Sequence, residues 1–151
     1  CMAHKQGTAE VNGSVAIASS PDTISTAVID GTAARTPAEI YVRNETGADL
    51  TNTAITIAND TTSESIVWTG TLEDDRWLRV GSLDALGRFT ASIDKSDSTG
   101  SDPEAESYTS AESGYTSGDW PRLKGGFANS FTITGISTGT LETTYRARYH
   151  H

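Results

Sequence analysis

With a single cysteine, the chain cannot close an internal disulfide. That residue, Cys1, stands ahead of Met2 and reads as an added or incidental residue rather than a lipid-modified end. No apolar run approaches the roughly 20 residues that a helix needs to cross a bilayer, and the first residues lack the apolar core of a secretory signal, so no anchor is expected. Basic residues are few: 11 Lys and Arg against 20 Asp and Glu give a net charge of -9. Such a surface repels a phosphate backbone, which argues against nucleic acid or an anionic membrane as partner. The three histidines, His4, His150 and His151, sit at the ends of the sequence. No Gly-x-Ser-x-Gly elbow, HExxH, P-loop or dinucleotide fingerprint occurs, so a non-enzymatic role is expected.

What is abundant is threonine (23) and serine (17). Threonine is branched at Cβ, poor inside helices and well suited to half-exposed strands, so this is the composition of a β-protein. A length of 151 residues allows one domain with a true core. Strand signals recur every ten residues or so between Gly, Asn, Asp and Ser, and no window holds a 3.6-residue apolar period.

The segment "AEVNGSVAI" (9–17) predicts two short strands about an Asn12-Gly13 hairpin turn, and "TISTAVI" (23–29) a third strand. In "AEIYVRN", Ala38, Ile40 and Val42 alternate with Glu39, Tyr41 and Arg43, which predicts a buried and a solvent face. The same alternation assigns Ile55, Ile57, Ile66, Trp68, Leu78, Val80, Phe89 and Ile93 to the core, and leaves Trp77 and Arg79 facing outward. Leu123, Phe131, Ile133 and Tyr145 complete the expected core. About nine strands in one small domain predict an all-β, antiparallel β-sandwich over 38–149. Residues 1–37 are expected either as an arm that pairs with a neighbouring subunit or as the sandwich's own first strands.

Between Lys95 and Asp119 the pattern stops. This stretch has no Leu, Ile, Val or Phe to offset its ordering entropy and is expected as one long surface loop, with Tyr108 and Tyr115 as its only anchors. It is followed by "GDWPRLKGGFANSFTI" (118–133), where Trp120 and Leu123 return the chain to the core and Gly125-Gly126 turn it into the next strand.

The ending made of "LKGG", Asn129 opening an alternating strand, and a final "YRARY" strand resembles the C-terminal domain of the distal tail proteins of siphovirus-type bacteriophages. The upstream segments "IYVRNETGADLTNTAITIAND" and "TLEDDRWLRV" resemble that family as well, so the likeness runs from about Pro37 to Tyr149. It implies a galectin-like, jelly-roll-like sandwich that serves as a structural component of a virion tail. Self-association and contacts with other virion proteins would follow. The family's usual N-terminal ring-forming domain is missing, and the loop at 95–119 is an insertion, so a capsid decoration protein stands as an alternative.

Three sets of side chains are candidate sites. Val11, Val15, Ile17, Ile24, Val28, Tyr108 and Tyr115 are expected at subunit contacts. Trp77 with Arg79, and Trp120 with Arg122, offer an aromatic platform beside hydrogen-bond donors, the chemistry of a carbohydrate-binding module that attaches to host glycans. Asp94, Asp97, Asp102 and Glu104 are hard oxygen ligands that calcium could gather, although their spacing misses the EF-hand template. No other cofactor is expected. Asn-x-Ser/Thr sequons occur at Asn12, Asn44 and Asn59.

Overall fold

The computed structural model describes the backbone of residues 4–94 and 102–150, and the side chains of 13–94 and 102–145. Eleven strands are formed: β1 (His4–Ile17), β2 (Asp22–Val28), β3 (Ala38–Asn44), β4 (Leu50–Asn59), β5 (Glu64–Leu72), β6 (Trp77–Leu83), β7 (Phe89–Asp94), β8 (Tyr108–Ser110), β9 (Tyr115–Gly118), β10 (Ala128–Thr134) and β11 (Gly139–His150). They build two antiparallel sheets that pack as a sandwich. One has the order β1-β11-β3-β6-β7-β8, the other β2-β10-β4-β5-β9.

The two-residue period explains the packing. In the six-stranded sheet Leu141, Val42, Leu78 and Ile93 lie side by side across four strands, and Ile40, Val80 and Ala91 form the next row. Ile133, Ile57 and Ile66 face them from β10, β4 and β5. Trp68, Phe131 and Leu123 fill the remaining space, and nearly all these side chains are buried. Each fully buried aliphatic side chain contributes about 1.5–3 kcal/mol. Phe89 departs from its expected core place: it sits at the end of β7, partly exposed at the mouth of the sandwich.

Two expectations about the chain's course are corrected. Asn12-Gly13 makes no hairpin. β1 is one strand paired with β11 along its length, and the register shift between Asn12 and Val15 absorbs the extra residues as a bulge. The stretch expected as an unbroken loop carries β8 and β9 as well as 3-10 turns at Pro103–Ala105 and Glu112–Gly114. These short strands pair through backbone and, in β9, a Thr69–Thr116 hydroxyl contact at 3.0 Å, which needs no apolar side chain. Where the segment does bury something, it uses Pro103 and Ala111, and the Trp68 indole N–H donates to the Ala111 carbonyl at 2.8 Å. Gly114 is required here, because a Cβ would run into the Trp68 ring. Residues 95–101 lie outside the described residues.

The return segment before β10 is held by two buried amides. Asn59 Nδ2 donates to Asn129 Oδ1 at 3.0 Å and to the Arg122 carbonyl at 2.6 Å. Asn129 Oδ1 also accepts from the Lys124 N–H, and its Nδ2 donates to the carbonyls of Lys124 and Phe127. Asn129→Ala leaves several of these buried groups unpaired. It is expected to cost roughly 3 kcal/mol in urea unfolding, and a loss under about 1 kcal/mol would show that the amide network is dispensable.

Candidate functional site

The outer face of the six-stranded sheet carries the residues expected to face solvent on β3 and β6, yet they are covered. Trp77 is only 1% exposed. Tyr41 meets its ring edge-on at 6.3 Å, and the Arg43 guanidinium lies 5.8 Å from its centre. Arg79 sits 4.3 Å over the Tyr108 ring, and its Nε donates to Ser92 Oγ at 2.9 Å. The Tyr108 hydroxyl donates to the Pro103 carbonyl, which folds the segment 102–110 over this face like a strap. The pair Trp77 and Arg79 is therefore no sugar platform. Its outward alternation is real, but Tyr41 and Arg43 of the neighbouring strand lie against Trp77, and Tyr108 lies over Arg79. Burial, with the Glu39 carboxylate that accepts the Tyr41 hydroxyl, pushes the Tyr41 phenol up. Burial and Asp94 do the same to Tyr108, so both remain neutral donors.

Glu142 lies beside Tyr41 on the same face. It is 9% exposed, and its Oε2 has no hydrogen-bond partner among the described residues. Burial, then the nearby charges of Asp102 and Glu104, raises its pKa, while a hydrogen bond with Ser14 opposes the shift. A carboxyl whose pKa is higher folded than unfolded stabilises the fold when protonated, and that contribution is lost as pH rises through the folded value. Glu142→Gln is accordingly expected to raise the melting temperature by a few degrees at neutral pH, with the gain shrinking as pH falls through the carboxylate range. An equal gain at every pH would rule out titration of Glu142 as its origin.

The second expected platform, Trp120, is half-buried. It stacks with Tyr115 at 5.6 Å (16° between planes) and with Phe89 at 6.1 Å (26°). β7 supplies Phe89 from one sheet and β9 supplies Tyr115 from the other, so the rings bridge the sandwich at its mouth. Asp84, Arg88 and Glu112 join them around a pocket of about 230 Å³. Asp84 accepts from the Arg88 and Leu86 N–H groups and from Arg88 Nε, each at 2.9 Å. The Arg88 N–H, opposed by burial and supported by the Leu86 N–H and the Arg88 guanidinium, holds the Asp84 carboxyl below its ordinary range. The rim is thus an ionised acid, a largely exposed guanidinium and a second acid over an aromatic floor.

Arg122, expected beside Trp120, turns away. Its Nη2 and Nε lie 2.6 and 3.0 Å from Glu64 Oε2, and its N–H donates to Oε1 at 3.1 Å. Burial would raise the pKa of Glu64, but these hydrogen bonds outweigh it and hold the carboxyl low. Sequence reasoning missed Phe89, Asp84, Arg88 and Glu112 as pocket residues. The available signal was an aromatic residue at a strand end directly after the polar turn "DALGR".

The expected subunit-contact residues separate. Ile17 is in the core, Ile24 packs partly against it, and Val15 is half-buried. Val28, opposite Ala128 in the β2–β10 pair, is 62% exposed. Tyr108 belongs to the strap and Tyr115, 42% exposed, to the pocket. The Val11 side chain lies outside the described residues.

Of the expected calcium ligands, Asp94 is buried at the end of β7, and Asp102 caps a 3-10 turn by accepting from the Glu104 N–H. Asp97 lies outside the described residues. Among the described residues no three His, Cys, Asp or Glu side chains are grouped so as to hold a metal ion. The sequon asparagines Asn44 and Asn59 are fully buried, which removes them as glycan acceptors in the folded chain. Comparison of the chain with protein-family models, with curated proteins and with solved structures finds no match.

Proposed function

We propose that this chain is a non-enzymatic structural protein of a tailed-virus particle, a tail component that assembles with copies of itself and with neighbouring virion proteins. The observation that supports the reading is the β1–β2 side of the sandwich. There β1, paired with β11 on one side, offers the outer edge of a 14-residue strand with no pairing strand among the described residues, and β2 adds Val28, exposed opposite Ala128. A long edge is a template for strand pairing, and an exposed apolar side chain beside it favours a protein partner. The resemblance of residues 37–149 to the tail-protein ending points the same way, as does a net charge of -9 that disfavours nucleic acid.

Light scattering coupled to size exclusion, at low and at molar salt, tests the assembly. A discrete oligomer is expected, and Val28→Glu should shift it toward monomer while circular dichroism stays unchanged. A strict monomer in all salts that never enters particles would overturn the proposal. Copy number in purified particles separates the two virion positions: a tail component is present in few copies, a capsid decoration in proportion to the capsid subunits.

A further inference from the structure

We infer that the pocket formed by Phe89, Tyr115 and Trp120 with Asp84, Arg88 and Glu112 binds a single neutral pyranose ring. The inference does not depend on assembly or on a viral origin, since it concerns a surface that one isolated chain presents complete.

Three features select this ligand class. The first is ring orientation. The three aromatic planes lie within 26° and 16° of one another along the stack. A cage for a quaternary ammonium group would set its rings as the walls of a box around a compact cation. Nearly parallel rings at 5.6 and 6.1 Å are instead a stack with Trp120 in the middle, and its exposed end ring, Tyr115, offers the apolar face against which the C–H face of a pyranose packs. The second is size. About 230 Å³ falls below the about 300–1,000 Å³ of drug-sized pockets and leaves room for one ring.

The third is the rim. Hydroxyl groups of a sugar both donate and accept, and the rim offers each complement. The Glu112 carboxylate accepts, and the Arg88 guanidinium, 71% exposed at its side chain, keeps donors beyond the Nε committed to Asp84. Two carboxylates against one guanidinium leave the rim negative, on a chain already at -9. A uronate or other acidic sugar is therefore repelled, and a neutral hexose is the matching ligand. The pocket opens at the sandwich mouth away from the Val28 edge: β7 and β9 lie on the opposite side of their sheets from β1 and β2. A glycan could be held there while the β1–β2 side is occupied.

A lone ring on an open platform supports a dissociation constant on the order of 1 mM. The test is a titration of the full chain with the methyl glycosides of glucose, galactose, mannose and N-acetylglucosamine, read by tryptophan fluorescence and by saturation-transfer NMR. Trp68 and Trp77 are buried, so a fluorescence change reports Trp120. Choline and glucuronate serve as the cationic and anionic competitors. Saturable binding of at least one neutral glycoside is expected, weakened tenfold or more by Tyr115→Ala and by Glu112→Ala. Both side chains are exposed, so the variants should keep the wild-type melting temperature. Lys124→Ala, whose ammonium sits over Phe127, should bind as the parent does. The inference is overturned by any of three results: no saturable binding of a neutral glycoside by folded protein, equal binding by the two pocket variants, or preference for choline or glucuronate.

Discussion

The contact between Asn59 and Asn129 is the constraint on which the pocket end of the molecule rests. Each amide is completely buried, one at the end of β4 and the other in β10, and burial without partners would be costly. Their solution is mutual. They bond to each other and to the backbone of Thr61, Arg122, Lys124 and Phe127, so the irregular return segment acquires hydrogen bonds that a strand would have given it. That segment carries Leu123 into the core, aims Arg122 at Glu64 and leaves Trp120 at the mouth. The aromatic floor is thus set by polar groups that never reach the surface.

The two aromatic clusters show how similar residues acquire opposite roles. Trp77 and Tyr41 are surrounded by Arg43, Arg79 and Glu39, and Tyr108 of the strap closes over Tyr41 and Arg79, which makes the group structure. Trp120, Tyr115 and Phe89 have charged neighbours too, and no segment lies across them to the same degree. What separates a binding surface from an interior is the cover rather than the chemistry of the side chains. The strap brings Asp102 and Glu104 toward the buried Glu142, so the cover carries an electrostatic cost that grows with pH.

Much of the sandwich was legible in the sequence because a strand's inner face repeats every second residue. Ile40, Val42, Ile55, Ile57, Ile66, Leu78 and Val80 all lie where alternation assigns them. Alternation says which residues share a face, not whether that face stays wet, and Tyr41 and Trp77 are buried for that reason. Edge strands β8 and β9 were hidden because they contribute backbone more than side chains. Asn12-Gly13 misled because a turn signal is local, whereas the partner of β1 comes from the far end of the chain. Of the pocket, Trp120 was visible as a candidate. Asp84, Arg88, Phe89 and Glu112 were not, since they arrive from two other segments, 84–89 and 112–115, that only the fold brings to it.

The four sheet edges are shared unequally between the two flanks. On one, β1 and β2 run for 14 and 7 residues; on the other, β8 and β9 for 3 and 4. A flank that short offers a neighbour too few backbone groups to seed a continued sheet, so lateral growth has a single usable side. Two copies meeting edge to edge through β1 would consume that side in both, and the contact would be self-terminating. Among the described strands, unequal flanks therefore disfavour endless strand addition, and a ring or array larger than a pair would draw on side-chain contacts elsewhere.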